Sequence, residues 1–293
     1  MAAPLRIHEY GGVITEKNAD FATVRIRMPA GVVTPEKLRG IADISERYGA
    51  ESVHLTNRQT VEIPHMNPDR LHELVEDLRK NGTPLGAERE EVVNITACPG
   101  TERCKFANIE TIELAKKIDE RIFGRDLPIK IRIGISSCPN SCMSETLNEI
   151  GITGVVKPIR NEGKCTGCGT CVKYCKEGAI VIKSGRIVLD PEKCMHCGIC
   201  LLSCPYNIIT SEPPAYRITI GGRRGRHPRI GRHLITVRSE ESAIEVVDRI
   251  VYWVYRKSWS GRLLGEQMDE IGYDTFREEL VRSLPEEEIV EGY

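Results

Sequence analysis

Between residues 21 and 28, Ala22, Val24 and Ile26 alternate with Phe21, Thr23 and Arg25, a period of two that predicts a half-buried strand. The period then lengthens. Thr34-Pro35 offers an N-cap and a first-turn proline, and Leu38, Ile41, Ile44 and Tyr48 follow at helical spacing until Gly49 ends the run. Residues 52–56 and 59–63 read as two strands joined by a tight turn at Asn57-Arg58. Asn67-Pro68 opens a second helix through Leu71, Leu74 and Leu78, which Gly82 closes. This order predicts a sheet with helices on one face over residues 1–82. Further on, residues 92–96 and 129–135 read as strands. Residues 109–122 form an amphipathic helix (Ile112, Ala115, Ile118, Ile122), and residues 150–156 are another apolar run. After a cysteine-rich stretch at 159–209 the pattern resumes, with strands at 217–220 and 234–237. A long helix starts at Ser239 and carries Ile244, Val247, Ile250, Val251 and Val254. The expected class is α+β, divided into 1–82, a domain made of 83–158 and 210–293, and an insertion at 159–209. The acidic run Glu286-Glu287-Glu288 reads as a solvated end.

Composition narrows the chemistry. In 293 residues the formal net charge is −1, which gives no global basic character to suggest nucleic acid. The N-terminus lacks a run of signal-peptide type and no stretch reaches the length of a membrane span, so the chain reads as cytoplasmic. All 12 cysteines fall into four tight groups. Two are Cys165-x2-Cys168-x2-Cys171-x3-Cys175 and Cys194-x2-Cys197-x2-Cys200-x3-Cys204-Pro205, and they form a two-fold internal repeat. This is the bacterial two-cluster ferredoxin spacing, in which three cysteines of one run and the fourth of the other hold each cube. By that rule Cys165, Cys168, Cys171 and Cys204 form one ligand set, and Cys194, Cys197, Cys200 and Cys175 the other. Zinc knuckles also use C-x2-C, but they rarely pack three cysteines so closely. Gly167, Gly169 and Gly198 suit close approach of backbone to sulfide. His65 and His196 read as surface or packing residues.

The other two groups, Cys98-x5-Cys104 and Cys138-x3-Cys142, bring the expected total to three [4Fe–4S] clusters. Their surroundings are Asn94-Ile-Thr-Ala-Cys98-Pro-Gly-Thr-Glu-Arg-Cys104 and Ser137-Cys138-Pro-Asn-Ser-Cys142. This resembles the sirohaem–[4Fe–4S] signature of the sulfite and nitrite reductase family. Leu55-Thr-Asn-Arg58-Gln59 resembles the Arg-Gln turn of that family's ferredoxin-like half-domain. Lys130-Ile-Arg132 resembles its Lys-x-Lys strand, with Arg132 in place of the second lysine. Gly221-Gly222-Arg223-Arg224-Gly225-Arg226-His227-Pro228-Arg229 resembles a loop of the anaerobic, dissimilatory-type members, which also carry an inserted ferredoxin. One departure is Val93, at a position where the family often has arginine.

The resemblance implies a half-domain, a sirohaem/[4Fe–4S] α/β domain and an inserted two-cluster ferredoxin. It implies that Cys142 ligates both a cube and the sirohaem iron, and that Arg223, Arg224, Arg226 and Arg229 face the carboxylates of the macrocycle. It implies Arg58, Lys130 and Arg132 as the cationic groups around sulfite; on a strand, residues 130 and 132 share a face. Sulfite reduction is the expected activity, with nitrite reduction a close alternative. An electron-transfer protein with a non-catalytic sirohaem site is a second reading, and a sensor or detoxifier a third. No nicotinamide or flavin fingerprint is present, so a reductase subunit or soluble ferredoxin is the expected electron donor. The chain holds about one copy of a repeat that full-length assimilatory members hold twice, so a homodimer or hetero-oligomer is expected.

Overall fold

The computed structural model describes residues 10–160, 165–282 and 284–292; of residues 1–12, read for a signal peptide, the first nine lie outside them. The first unit is a four-stranded antiparallel sheet. Its elements are β1 (Val13–Thr15), β2 (Ala22–Arg25), α1 (Pro35–Arg47), β3 (His54–Leu55), β4 (Val61–Met66) and α2 (Leu71–Lys80). The strand order is β1-β2-β4-β3. Thr34 caps α1 by accepting from Lys37 N at 3.3 Å, with Pro35 in the first turn. Val24, Ile26, Ile41, Ile44, Val61, Ile63, Leu74 and Leu78 make the core between sheet and helices. Arg25 departs from the alternation. It lies on the polar phase yet is buried, because Glu62 and Glu88 pair with its guanidinium.

The second unit is built on a five-stranded mixed sheet. It continues with β5 (Thr96–Ala97), α3 (Gly100–Arg103), α4 (Ile112–Ile122), β6 (Ile133–Ser136) and β7 (Ile150–Val155). β5, β6 and β7 run parallel, and every residue of β6 and β7 is buried, so these strands read as continuous apolar runs rather than alternating ones. The chain then leaves this sheet through β8 (Pro158–Arg160). A small unit follows with α5 (Thr170–Tyr174), β9 (Ile180–Lys183), β10 (Arg186–Leu189) and α6 (Ile199–Ser203). It returns through β11 (Ile209–Ser211), which pairs antiparallel with β8. The internal repeat is visible in the backbone. Gly169 and Gly198 start α5 and α6 at φ 76° and 77°, and Cys175 and Cys204 end them at φ −76° and −77°.

β12 (Ala215–Ile220) and β13 (Arg232–Val237) complete the main sheet in the order β13-β12-β7-β6-β5. α7 (Glu240–Lys257), α8 (Leu264–Ile271) and α9 (Tyr273–Val281) follow. α7 packs against α4, β12 and β13 and buries Val247, Ile250, Val251 and Val254. Among the described residues no helix is long and apolar enough to cross a membrane. In the acidic tail Glu286 and Glu287 are exposed, as expected of a solvated end, and Glu288 alone departs from it. Glu288 accepts from Ser239 N (3.2 Å), Ser239 Oγ (2.6 Å) and Ser242 Oγ (2.9 Å), capping α7 where its backbone N–H groups are unpaired. Val290 N also bonds to Thr236 O at 2.9 Å, fastening the tail along β13.

Candidate functional site

Two of the four cysteine groups stand at neighbouring strand ends. The parallel register Thr96↔Gly134 and Ala97↔Ile135 brings Cys98, just after β5, level with Ser136-Ser137-Cys138 after β6. Cys98 Sγ accepts from Ser137 N at 3.1 Å and donates to Ser137 Oγ at 3.3 Å, and Cys138 Sγ accepts from Asn140 Nδ2 at 3.5 Å. Cys104 caps the end of α3. Burial pushes the Cys138 thiol up, with the sulfurs of Cys142 and Cys98 adding to the effect. A bound cation beside Cys138 would offset the charge of its thiolate. Cys98 and Cys138 are buried, whereas Cys142 is exposed.

The loop that presents Cys142 is bent twice into the left-handed region, at Ser141 (φ 52°) and Ser144 (φ 48°). Each such residue costs roughly 1–2 kcal/mol, so the surrounding contacts must hold the turn. The loop after β12 presses on the same turn. A Cβ at Gly222 would meet Asn148 O and Thr146 O at 2.4 Å, an approach open to glycine alone.

Cys142 opens into a pocket of about 370 Å³ whose wall carries Arg58, Arg132, Arg224, Asn94 and Thr96. Arg58 sits at the turn between β3 and β4, and its carbonyl accepts from Asn94 Nδ2 at 2.8 Å. Gln59 clamps this turn to the cysteine strand. It holds a left-handed φ of 58° while its amide exchanges two 2.8 Å hydrogen bonds with the Ala97 backbone. Burial, reinforced by Arg132 and Arg25, lowers Arg58 to about 10, so it stays a cation at neutral pH. Arg132 donates from Nη1 and from its backbone N to Glu149 at 2.8 and 2.9 Å. Glu149 is buried, which raises its carboxyl against the pull of Arg132.

Lys130 lies behind this wall. With Arg132 it lines an adjoining cavity of about 280 Å³, and its Nζ donates to Glu88 at 2.7 Å. Burial, then the charges of Arg58 and Arg132, lower it to about 8. The arginine loop divides. Arg224 reaches Met143 O at 2.5 Å and lines the Cys142 pocket. Arg223 pairs with Glu266 (3.0 Å) and Arg229 with Asp269 (2.6 Å), so these two charges are neutralised on α8. Arg226 is exposed on the loop.

In the small unit, Cys175, Cys194, Cys197 and Cys200 line one cavity of about 70 Å³. Pro139 and Asn140, from the loop between Cys138 and Cys142, line it too. Burial and the sulfurs of Cys197, Cys194 and Cys175 push the Cys200 thiol up to about 12. Cys171 has Cys165 and Cys168 as its electrostatic neighbours and packs with Cys204 in the unit's core. Among the described residues no three His, Cys, Asp or Glu groups stand close enough to share one metal ion. A cube takes each thiolate on a different iron and spaces them more widely than zinc does. His196 joins the small unit to the main sheet. Its carbonyl accepts from Val156 N (2.9 Å), and Arg217 Nη2 lies 3.2 Å from its Nδ1. Burial, with Arg217 and Lys157 nearby, lowers it to about 4, so the ring is neutral at physiological pH. Sequence reasoning misses two residues of this architecture, Glu149 under Arg132 and Glu145 beneath the Cys142 turn, and Gln59 stands in the motif without its clamping role. The local pattern gives no sign of these roles, since Gln59 and Glu149 act on distant segments and Glu145 ties its own turn to β6 and β7.

The family model described as "Nitrite and sulphite reductase 4Fe-4S domain" matches residues 88–288, and "Nitrite/Sulfite reductase ferredoxin-like half domain" matches residues 14–81. The chain belongs to the nitrite and sulfite reductase family. This family depends on sirohaem and [4Fe–4S] clusters. Among its members, "Coenzyme F420-dependent sulfite reductase" of Methanocaldococcus jannaschii is 34% identical over 96% of this chain, which spans 45% of that protein's length. An uncharacterised protein of the same organism is 32% identical over 91% of this chain and 92% of its own length. One subunit of the anaerobic sulfite reductase of Salmonella typhimurium is 27% identical over 90% of this chain and 84% of its own length. The fold matches the crystal structure of dissimilatory sulfite reductase I with a TM-score of 0.74 at 20% identity, over 93% of this chain and 70% of that one. The residues present fit the family's groups: paired buried cysteines at strand ends, and an exposed Cys142 in a pocket walled by arginines.

Proposed function

We propose that the protein is a sirohaem–[4Fe–4S] reductase that takes sulfite to sulfide, with electrons entering through residues 159–209 as an inserted two-cluster ferredoxin. The supporting observation is the shared wall between the two cysteine regions. Pro139 and Asn140 line the cavity of Cys175, Cys194, Cys197 and Cys200, and Asn140 also donates to Cys138 Sγ. That contact supports an order of the proposed ligand sets with Cys165, Cys168, Cys171 and Cys204 outermost, Cys175, Cys194, Cys197 and Cys200 between, and Cys98, Cys104, Cys138 and Cys142 innermost. The domains are then 1–82, 83–158 with 210–293, and 159–209.

When bound, the cubes held by the cysteines and the sirohaem beside Cys142 would supply the single-electron chemistry of the reduction. Sulfite needs six electrons and six protons to become sulfide and three waters. Arg58, Arg132 and Arg224 supply fixed positive charge to anions in the pocket, whether substrate oxygens or carboxylates of the macrocycle. Arginine holds its proton too firmly to give it up readily, so Lys130 is the group suited to restoring protons. Arg223, Arg226 and Arg229 are the other candidates for the macrocycle; the ion pairs of Arg223 and Arg229 to α8 leave Arg224 as the strongest of the four. The pocket residues Cys142, Arg224 and Gly225 are exposed, which supports completion by a second copy or a related subunit. A separate reductase subunit or ferredoxin delivers the electrons.

The test is anaerobic expression with sirohaem supply, an absorption spectrum with acid extraction of pigment, and turnover on sulfite and on nitrite with reduced viologen. Sirohaem bands with faster sulfite turnover are expected. Faster nitrite turnover moves the assignment to nitrite, bound pigment without turnover supports an electron-transfer role, and no extractable pigment overturns the reading. A pH series carries a second expectation. Lys130 is cationic below about 8 and neutral above it. kcat/KM for sulfite should therefore fall as pH rises through about 8. Lys130→Arg, which stays charged, should remove that limb and lower kcat; an unchanged pH profile in the variant would exclude Lys130 as the proton source.

A further inference from the structure

Glu145 is fully buried, yet among the described residues it enters no ion pair with lysine or arginine. Its partners are three hydroxyls from three different segments. Ser136 Oγ, at the end of β6, donates to Oε2 at 2.5 Å. Ser141 Oγ, between Cys138 and Cys142, donates to Oε1 at 2.8 Å, and Thr153 Oγ1 on β7 donates to the same oxygen at 2.7 Å. Ser136 Oγ in turn accepts from Met143 N at 3.2 Å, so its single proton is directed at Glu145. Both carboxyl oxygens thus accept, as an ionised carboxylate does. The turn is pressed onto the sheet: a Cβ at Gly151 would meet Glu145 O at 2.5 Å.

We infer that Glu145 is a positioning residue that locks the Cys138–Cys142 turn and places a buried negative charge beside the innermost cluster site, lowering that cluster's reduction potential. The mechanical half follows from the network. Ser141 and Met143 flank Cys142 on either side, and both are tied, directly or through Ser136, to one carboxylate. The electrostatic half follows from burial. A charge without a cationic partner in a low-dielectric interior acts over several ångströms, and adding an electron beside it is disfavoured. Removing the charge makes the cluster easier to reduce. This inference rests on the proposed ligation of a cube by Cys98, Cys104, Cys138 and Cys142.

The test compares the unsubstituted protein with Glu145→Gln and Ser141→Ala, each purified anaerobically with its clusters. Iron content and extractable pigment are measured first. If the unsubstituted protein lacks the innermost cluster, the proposed function fails, independently of Glu145. Redox titration followed by electron paramagnetic resonance then reads each cluster separately. In Glu145→Gln the innermost cluster should become easier to reduce, with the reduced-to-oxidised ratio at a fixed potential rising about tenfold, or about 59 mV for one electron. The clusters of the small unit should not move. Ser141→Ala keeps the charge and loses one tie. It should leave the potential near the parent value while broadening the spectrum of the coupled site. If Glu145→Gln fails to hold clusters, Glu145→Asp keeps the charge and should keep the potential. An unshifted innermost potential in Glu145→Gln, or a tenfold rise in Glu145→Asp, overturns the inference.

Discussion

Cys142→Ser should reduce sulfite turnover to below about a hundredth of the parent while the eight cysteines of the small unit keep their iron. Cys98 and Cys138 are buried, and of the four cysteines in their group Cys142 alone lines the arginine-walled pocket. A serine hydroxyl there is a far weaker ligand to iron than a thiolate. Loss of a residue that merely supports a metal ligand costs about 10–100-fold, so loss of the ligand itself should exceed that. The small unit has its own core of Cys171, Ile180, Ile187, Cys204, Ile208 and Ile209, independent of position 142. Iron analysis, pigment extraction and viologen-linked turnover check both halves of the expectation. Simultaneous loss of all clusters would show that the units do not assemble separately. Retained turnover would remove Cys142 from the reaction.

Arg58→Ala should lower kcat/KM for sulfite by about 10²–10³-fold, the loss typical of removing one preorganised charge from a developing oxyanion. The substitution spares the turn itself. The ties that fix it run through the Arg58 carbonyl to Asn94, through its backbone N to Thr56 Oγ1, and through Gln59 to Ala97. Removing a partly buried guanidinium that faces Arg132 and Arg25 also relieves repulsion, so thermal stability should be equal or higher. Arg58→Lys restores charge without the planar fork and should recover only part of the rate. Activity within threefold of the parent in Arg58→Ala would place the residue outside the anion site.

Much of this architecture is legible in the residue pattern because long amphipathic periods and metal-ligand spacings are local signals. α1, α2, α4 and α7 fall where the apolar spacing predicts them, starting and ending within a few residues of Pro35, Gly82, Ile122 and Ser239. What escaped is short or non-local. β1 has three residues and depends on β2 for its hydrogen bonds. β10 is visible only as the partner of β9 across Ser184-Gly185, both of which have positive φ. Glu288 looks like one acid among three until Ser239 and Ser242 are brought to it by the fold. The arginine loop shows the same limit in charge. Its arginines look equivalent as text, but Glu266 and Asp269 on α8 claim two of them and leave Arg224 facing Cys142.

The antiparallel pairing of Pro158–Arg160 with Ile209–Ser211 brings the two ends of the cysteine-rich excursion side by side. A polypeptide that departs and comes back through adjacent strands can carry a long excursion cheaply, because closing a longer loop costs only logarithmically more entropy. Such a gate would make the proposed electron-carrying unit a graftable cassette. Exchanged for another redox unit of similar end spacing that also supplies an acceptor to Val156 N, it would let one reductase core draw on a different supply of electrons.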